Sequence, residues 1–294
     1  MIKRVTALVC LVALVCLVLP LVGKPDRSFA GPAFFGRVHA SYGPDTGKVF
    51  ILVVGNDARS GNPDASRADA IHIVGINTDT MKGGILNFPR DSWVNIPGRG
   101  TSKINEALYD GGPELLAQTL ENLTGIHIDY WVMTGFEGFR DIVDELGGVK
   151  MNIPTDVYDP TGSGAKLNAG TQNLGPLNAL AYVRTRHSFS QGDIARTTNQ
   201  ARFLLAMLRK LQRQVESNPS ALLRWMAIAR QHARLDIGAD ELFRLGVVAS
   251  QVKPGSIGNV TVPVSLGSVG AASVVFISSG ASSLYERFKE TASL

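Results

Sequence analysis

The sequence contains almost no cysteine. Its 294 residues include only Cys10 and Cys16, and both lie in one apolar run near the start. A disulfide framework and a cysteine-based metal site are therefore excluded from the rest of the chain. The five histidines, at positions 39, 72, 127, 187 and 232, lack the spacing of zinc ligands. Glycine-rich nucleotide loops and the G-x-S-x-G turn of serine hydrolases are also missing.

The chain carries little net charge and no run of basic residues. Lys and Arg number 29 and Asp and Glu number 25, which gives a formal charge of +4. A nucleic-acid-binding protein is expected to show a basic stripe or cluster. No nucleic-acid partner is therefore predicted. The apolar share of 45% excludes a disordered chain.

The first 23 residues are predicted to be a cytoplasmic start and a transmembrane helix. Lys3 and Arg4 precede residues 5–23, which are uncharged. As a helix this run would span roughly 28 Å, close to the thickness of a bilayer core. A cleavable signal peptide, with Ser28 and Ala30 at its cleavage site, is the alternative. In both cases the remaining chain is extracytoplasmic, and an uncleaved helix makes the protein a single-pass cell-membrane protein.

The rest of the chain is predicted to be a linker followed by one α/β domain. Residues 24–48 are rich in Gly and Pro, which is typical of a linker, and residues 49–294 form the domain. Apolar patterns predict strands at 49–54, 70–76, 84–88, 149–153, 179–186, 260–264 and 273–277. They predict helices at 114–123, 136–146, 193–215, 219–232, 239–252 and 282–289. This alternation indicates a layered α-β-α domain with a central mixed sheet.

Charged residues follow or precede several predicted strands. Asp57 follows the first strand, and Asp69 precedes the second. Two carboxylates at one sheet edge suit Mg²⁺, although either residue is equally at home in a polar turn. Arg90 follows Pro89, which ends the third strand. It either faces a ligand at the sheet edge or forms a surface ion pair with Asp91.

A second group of arginines lies further along the chain. Tyr182, Arg184 and Arg186 alternate, so on a strand they would share one face. Two arginines on one face suit phosphate oxygens, and a solvated edge strand is the alternative. Asp193 and Arg196 share a face with Gln200 at the start of the long helix, where the helix dipole favours anions. Arginines combined with a few carboxylates indicate phosphate or pyrophosphate chemistry assisted by a divalent cation.

These residues also resemble those of a known family. The matching segments are ILVVGNDAR at 51–59, Arg67-x-Asp69, FPRDSWVNIPG at 88–98, KINEALYDGG at 103–112, GFRDIVDELGGV at 138–149, ALAYVRTR at 179–186 and Asp193-x-x-Arg196-x-x-x-Gln200. In this order they resemble the LytR–CpsA–Psr (LCP) proteins, which carry one N-terminal membrane helix. The resemblance covers about residues 49 to 205 and is fainter beyond.

The resemblance implies a cell-wall phosphotransferase. LCP proteins move a glycopolymer, such as teichoic acid, capsule or arabinogalactan, from a polyprenyl pyrophosphate carrier to peptidoglycan through a phosphodiester. The prenyl chain lies in an apolar tunnel through the domain. Pyrophosphatase activity is a further expectation. The implied cofactor is Mg²⁺ or Mn²⁺, and the implied partners are the lipid-linked donor, the peptidoglycan acceptor and the membrane.

The resemblance assigns roles by position. The expected metal ligands are Asp57 and Asp69. The expected catalytic residues are Arg90, Arg184 and Arg186, with Asp91 or Asp193 as the base for the acceptor hydroxyl. The expected substrate-binding residues are Arg67, Lys103, Arg196 and Gln200.

Two other functions stay open at this point. A non-catalytic binder of the lipid carrier, or a wall scaffold, would need the arginines and the tunnel without the metal carboxylates. A membrane-linked transcription regulator would need a cytoplasmic DNA-binding module, and only four residues precede the apolar run. Asn56, Asn87 and Gly175-Pro176 depart from the usual family pattern, and none of them replaces a charged site residue.

Overall fold

The computed structural model describes residues 33–37, 47–57, 66–189, 192–235 and 238–294. The predicted transmembrane helix lies outside these residues, as does most of the predicted linker. Within the described ranges, no helix is both long enough and apolar enough to cross a bilayer.

The described residues form a seven-stranded sheet and four two-stranded ones. The strands are β1 (Ala33–Arg37), β2 (Lys48–Asn56), β3 (Ala68–Asn77), β4 (Lys82–Asn87), β5 (Trp93–Ile96), β6 (Gly100–Lys103), β7 (Tyr130–Thr134), β8 (Val149–Ile153), β9 (Val157–Asp159), β10 (Ala165–Leu167), β11 (Gly170–Leu174), β12 (Ala233–Leu235), β13 (Ile257–Thr261), β14 (Val264–Val269) and β15 (Ala272–Ile277). The large sheet has the order β12-β1-β7-β2-β3-β4-β13. It is mixed, because β2 runs parallel to β7 and antiparallel to β3.

Seven α-helices accompany these strands in the described part of the chain. They are α1 (Glu106–Thr124), α2 (Phe136–Glu145), α3 (Pro176–Arg184), α4 (Asp193–Ser217), α5 (Ala221–Gln231), α6 (Ala239–Gln251) and α7 (Ala281–Thr291). Helices α1 and α7 pack on one face of the large sheet, where Leu116 and Phe288 join the main core. Helices α4, α5 and α6 cover the other face. The prediction of a layered α/β domain with a central mixed sheet is therefore confirmed.

Strand β2 shows why the sheet is buried on both faces. Phe50, Leu52 and Val54 belong to the core under α1 and α7. Ile51 and Val53 point the other way, toward α4. A continuous apolar run suits a strand that is covered on both sides, whereas a half-exposed strand would alternate.

The predicted strand at 179–186 is wrong, because these residues end helix α3. Gly175 is extended, and Pro176 occupies the first helical position, where its missing N–H costs nothing. Ala179 and Tyr182 are buried one turn apart, which is a helical spacing. The alternation of Tyr182, Arg184 and Arg186 is therefore not a strand face. Thr185 turns extended after the helix, and this turn separates the two arginines.

Several elements were not predicted. Strand β1 lies within the predicted linker 24–48, and its backbone pairs with β7 and β12. The hairpin β5–β6, the short pair β9–β10, and β11, which pairs with the predicted strand β8, connect larger elements. All of these unpredicted strands have five residues or fewer, so they offer too short a pattern for recognition from sequence.

Candidate functional site

Three strand ends converge on one pocket at an edge of the large sheet. Asp57 follows the end of β2, Asp69 lies at the start of the antiparallel β3, and Arg90 follows the end of β4. Because β3 runs opposite to its neighbours, its first residues lie at the same edge as their last ones. The pocket, called the polar pocket below, is lined by Asp57, Asp69, Arg90, Phe136, Asp159, Gly162, Arg184, Arg186, His187 and Arg196.

Asp69 and Arg90 form the closest ion pair of the polar pocket. Arg90 Nη1 lies 2.5 Å from Asp69 Oδ1, while its Nε lies 3.7 Å from Asp91 Oδ2 and 3.6 Å from Asp193 Oδ1. Burial alone would lower the pKa of Arg90, but these carboxylates outweigh it and raise the pKa. Arg90 therefore belongs to a charged cluster, and its main partner is Asp69 rather than the adjacent Asp91.

Helix α4 brings a buried arginine to the same cluster. Arg196 has a side chain only 5% exposed, and its Nη2 lies 2.6 Å from Asp193 Oδ1 in the first helical turn. Its Nη1 lies 4.0 Å from Asp69 Oδ1. Burial lowers the pKa of Arg196 and raises that of Asp193, so each charge depends on the other.

The end of α3 supplies the other two arginines. Arg184 is the last helical residue, and its guanidinium lies 4.5 Å from the centre of the Phe136 ring, a cation–π contact that holds it at the pocket wall. Arg186 follows Thr185, and its Nη1 lies 4.0 Å from Asp193 Oδ1. Both arginines line the polar pocket as expected, although the predicted strand face is not the reason.

The remaining predicted residues lie at different distances from this pocket. Lys103 donates to Asp91 Oδ1 at 2.8 Å, beside the charged cluster but outside the pocket lining. Gln200 donates to the carbonyl oxygens of Val183 at 3.1 Å and Asp69 at 3.4 Å, which links α3, β3 and α4. Arg67 is not brought to the pocket. Its side chain is 60% exposed, and its guanidinium lies 4.0 Å from Glu106.

Sequence reasoning missed Gly162 and three side chains of the polar pocket. Asp159 and His187 form a hydrogen-bonded pair, with His187 Nδ1 3.0 Å from Asp159 Oδ1, and Phe136 holds Arg184. A signal for Asp159 was present in the turn sequence Asp159-Pro160-Thr161-Gly162, which is typical of a side chain that caps backbone N–H groups. No comparable signal marked the other two residues.

An apolar cavity of about 100 Å³ adjoins the polar pocket. Asp69, Phe136, Arg184 and Arg196 line both spaces. The other walls of the apolar cavity come mainly from β2, β3 and α2–α4, and they include Val53, Phe139, Leu180, Val183, Phe203 and Leu204. Charged groups therefore lie at one end of an otherwise apolar space.

A second apolar space, the inner cavity, lies farther along the same sheet face. Its volume is about 220 Å³, and Ile51, Tyr130, Leu211 and Trp225 are among its walls. Strand β2 contributes Ile51 to the inner cavity and Val53 to the apolar cavity, so both lie under α4. From Arg196 to Leu211 this helix extends roughly 22 Å, so the two apolar cavities lie along about that length of α4.

His72 is a buried ionisable residue of the apolar cavity. Its side chain points to Asn87, with Nδ1 2.7 Å from Asn87 Oδ1. Burial lowers the pKa of His72 to about 4, and the hydrogen bond to Asn87 offsets only part of this effect. The ring is therefore neutral at physiological pH.

The shifted pKa of His72 predicts a loss of stability in mild acid. The unfolded chain, with a histidine pKa near 6.5, takes up a proton before the folded chain does. The contribution of His72 to the free energy of unfolding is therefore fully present above pH 6.5. It falls by about 3 kcal/mol as the pH drops from 6.5 to 4. Urea unfolding at pH 7 and pH 4 measures this loss. His72→Leu should show a loss smaller by that amount, and equal losses in the two chains would contradict the assignment.

The residues of the polar pocket fit a divalent cation held partly by substrate. Asp57 and Asp69 both line the pocket. In the part of the chain that the structure describes, no group of three His, Cys, Asp or Glu side chains is placed to hold a metal. Mg²⁺ commonly takes one or two carboxylates and completes its coordination with water and phosphate oxygens. Two aspartates beside four arginines match that donor set.

The fold and the site define an α-β-α protein in which an arginine- and aspartate-lined pocket at a sheet edge adjoins an apolar cavity. The model of the LytR_cpsA_psr family matches residues 34–290, and the chain belongs to this family. The resemblance found in the sequence motifs is thereby confirmed.

Three curated relatives align with this chain. The probable cell wall biosynthesis protein LcpB of Corynebacterium glutamicum is 39% identical over 53% of this chain and 40% of its own length. The polyisoprenyl-teichoic acid–peptidoglycan teichoic acid transferase TagT of Bacillus subtilis is 36% identical over 58% of this chain and 54% of its own length. The regulatory protein MsrR of Staphylococcus aureus is 31% identical over 78% of this chain and 69% of its own length. The chain thus aligns with about half the length of the first two relatives.

Two solved structures share the fold. TagT with bound octaprenyl pyrophosphate lipid superimposes with a TM-score of 0.68 at 24% identity, over 87% of this chain and 94% of that one. TagT bound to LI-WTA superimposes with a TM-score of 0.71 at 24% identity, over 86% of this chain and 95% of that one. At this level of identity the likeness establishes the architecture.

Proposed function

We propose that this protein is a Mg²⁺-dependent phosphotransferase that moves a glycopolymer from a polyprenyl pyrophosphate carrier to peptidoglycan, with formation of a phosphodiester. The observation that carries the proposal is the shared wall of the polar pocket and the apolar cavity. A prenyl pyrophosphate has an anionic head joined to an apolar chain. The polar pocket would take the head, and the adjoining apolar cavity would take the start of the chain. The names of LcpB and TagT support a role in cell-wall assembly.

The apolar spaces suit the prenyl chain. Their walls are largely aliphatic and aromatic, and the two cavities lie along roughly 22 Å of α4. Burial of an apolar chain is favourable at about 25 cal/mol per Å² of surface removed from water. The carrier would thus be held by its tail, while its head lies among the arginines.

The four arginines of the polar pocket suit the pyrophosphate. Guanidinium groups contact phosphate oxygens with two parallel hydrogen bonds. Arg90, Arg184 and Arg186 would surround the phosphorus that is transferred, and the buried Arg196 would support them from below. Fixed cations in this position stabilise charge that develops in the transition state, without having to reorganise first.

The carboxylates have two tasks in this proposal. Asp69 holds Arg90 at 2.5 Å and thereby orients it toward the head group. Asp57 and Asp69 would hold Mg²⁺, or Mn²⁺ in its place, which when bound would neutralise charge on the pyrophosphate oxygens. Lys103 and Asp91 form a neighbouring pair at 2.8 Å that adds to the same field. The donor is a lipid-linked glycan, the acceptor is peptidoglycan, and the N-terminal run of residues 5–23 is the proposed membrane anchor.

A transfer assay tests the proposal. The full chain in detergent is incubated with a polyprenyl-pyrophosphate-linked glycan and peptidoglycan fragments, with Mg²⁺ or with a chelator. The expected result is Mg²⁺-dependent release of prenyl phosphate together with glycan on the fragments. Release without glycan transfer would indicate a pyrophosphatase. Tight donor binding without release would favour a non-catalytic carrier-binding protein.

A blocking variant tests the assignment of the apolar cavity. Leu204 lines it, whereas the neighbouring Leu205, also half-buried on α4, does not. Leu204→Trp is expected to weaken donor binding by at least tenfold, or about 1.4 kcal/mol, because the larger ring fills space needed by the prenyl chain. Leu205→Trp is the matched control. Equal donor affinities of the two variants, measured by fluorescence titration with a labelled prenyl pyrophosphate, would contradict the assignment.

A further inference from the structure

Asp159 and His187 form a carboxylate–imidazole pair at the rim of the polar pocket. Asp159 ends β9 and is only 2% exposed, while the side chain of His187, just after α3, is 65% exposed. His187 Nδ1 lies 3.0 Å from Asp159 Oδ1. Both residues line the pocket that contains Arg184 and Arg186. The pair therefore joins a buried carboxylate to a ring that reaches solvent beside the arginines.

The surroundings of Asp159 fix the proton on one ring nitrogen. Its carboxylate accepts backbone N–H groups of Gly162 at 3.1 Å, Ser163 at 3.2 Å and Arg186 at 3.4 Å. Burial alone would raise the pKa of Asp159, but the bonds from His187 and from these N–H groups hold it below its usual value. An ionised carboxylate can only accept, so Nδ1 of a neutral His187 carries the proton and Nε2 keeps its lone pair.

Gly162 shows that this pair is closely fitted. A Cβ atom at position 162 would lie 2.5 Å from both Asp159 Oδ1 and His187 Nδ1. Any larger residue would therefore enter the space of the hydrogen bond itself. The same turn is tied to α3 by Ser163 Oγ and Thr185 Oγ1, which lie 2.7 Å apart.

We propose that His187 is the general base for the acceptor hydroxyl and that Asp159 is the residue that positions it. The inference rests on the proposed function. His187 Nε2 takes the hydroxyl proton as the acceptor oxygen bonds to the phosphorus next to the glycan. The bond from that phosphorus to the bridging oxygen breaks, and prenyl phosphate leaves with the electron pair. The imidazolium that forms faces the Asp159 carboxylate and later returns its proton to water.

The two aspartates named as base candidates from sequence are less suited to this task. Asp91 is bound to Lys103 at 2.8 Å, and Asp193 lies 2.6 Å from Arg196. Their side chains are 25% and 18% exposed, against 65% for His187. A peptidoglycan acceptor is a large molecule that arrives from solvent, so the base must be accessible from that side.

Removal of the imidazole tests the inference. In the transfer assay with the full chain, His187→Ala is expected to lower kcat by about 10²- to 10³-fold, the range of general-base catalysis. The affinity for prenyl pyrophosphate should change less than threefold, because the arginines remain. Added imidazole should restore transfer at least tenfold by occupying the vacated space. His127→Ala is the matched control, because His127 also lies 3.0 Å from a carboxylate, that of Glu121, outside the pocket lining.

The positioning role of Asp159 has a separate readout. Asp159→Asn keeps the size of the side chain but offers an N–H donor to Nδ1, which favours the tautomer with the proton on Nε2. Its transfer rate should fall, and the double variant with His187→Ala should be no slower than His187→Ala alone. Additive losses would assign Asp159 a role apart from His187.

The outcomes separate this inference from the proposed function. Transfer by the natural chain together with unchanged transfer by His187→Ala overturns the inference alone. A loss of donor affinity that matches the loss of transfer assigns His187 to anion binding and also overturns it. If added imidazole does not restore transfer by folded His187→Ala, the inference is also overturned. A natural chain that binds the donor without transferring glycan overturns the proposed function, and the inference falls with it.

Discussion

Asp69→Asn is expected to lower the proposed glycopolymer transfer by about 10³-fold, the upper range for the loss of one group that stabilises transition-state charge. Asp69 lies 2.5 Å from Arg90 Nη1 and 4.0 Å from Arg196 Nη1, and it lines both the polar pocket and the apolar cavity. An asparagine of the same size keeps the packing but loses the charge that orients Arg90 and would bind Mg²⁺. The transfer assay with saturating donor measures this loss.

The control for this prediction is Asp79→Asn. Asp79 is exposed in the turn beyond the opposite end of β3, so its neutralisation should leave transfer within twofold of the natural chain. The circular dichroism spectrum of Asp69→Asn should match that of the natural chain, because Asp69 lies at a sheet edge rather than in the core. Full transfer activity in folded Asp69→Asn would contradict both tasks assigned to Asp69. Loss of the folded spectrum would contradict the assignment of Asp69 to chemistry rather than to the fold.

Helices and strands were predictable where one pattern of apolar residues extends over enough of the chain. Strand β2 is a continuous apolar run, and helix α4 repeats its apolar residues over 25 residues. Both patterns follow from burial alone, so sequence is sufficient to find them. Helix α3 was misassigned because it is nine residues long and its Ala, Leu and Val residues satisfy a strand pattern as well. The Gly175-Pro176 pair was the signal that distinguishes the two, since proline is favoured at the first helical position.

Some of the residues that line the polar pocket could also be predicted, although from the position of strand ends rather than from periodicity. Asp57, Asp69 and Arg90 follow or precede strands whose ends meet at one edge, so a layered α/β fold places them together. The pairing of Asp159 with His187 joins residues 28 positions apart through a turn and a helix end. Neither the turn after β9 nor the end of helix α3 was predicted. No pattern in the sequence indicates a contact between two elements that are themselves unpredicted. Arg67 shows the reverse case, because it lies only two positions from Asp69 and yet its side chain contacts Glu106 outside the pocket lining.

The same reasoning explains why the lining of the apolar cavity could not be named from sequence. Val53 lines the cavity, while Leu52, the preceding residue on the same strand, belongs to the core and does not line it. Both are aliphatic, and they differ in the face of the sheet to which they point. Strand alternation separates the two faces, but it does not reveal which face packs tightly and which leaves space.

Arg196→Met is expected to lower the free energy of unfolding by about 3 kcal/mol, the lower end of the range for breaking a buried ion pair from one side. The Arg196 side chain is 5% exposed and neutralises Asp193 at 2.6 Å and Asp69 at 4.0 Å. Its removal leaves both carboxylates with less compensation in a site where burial already raises the pKa of Asp193. Urea unfolding at pH 7 measures the change. Arg209→Met, an exposed position on the same helix, is the control and should stay within about 0.5 kcal/mol of the natural chain.

The double variant Arg196→Met with Asp193→Asn distinguishes a destabilising buried charge from simple loss of packing. Removing both charges leaves no unpaired carboxylate at position 193, so the double variant should be more stable than Arg196→Met alone, by about 1 kcal/mol or more. The stability that the second substitution restores measures the cost of leaving the carboxylate at position 193 buried without its partner. Stability losses that simply add would instead make Arg196 and Asp193 independent packing residues. The charged cluster would then have no energetic coupling through α4.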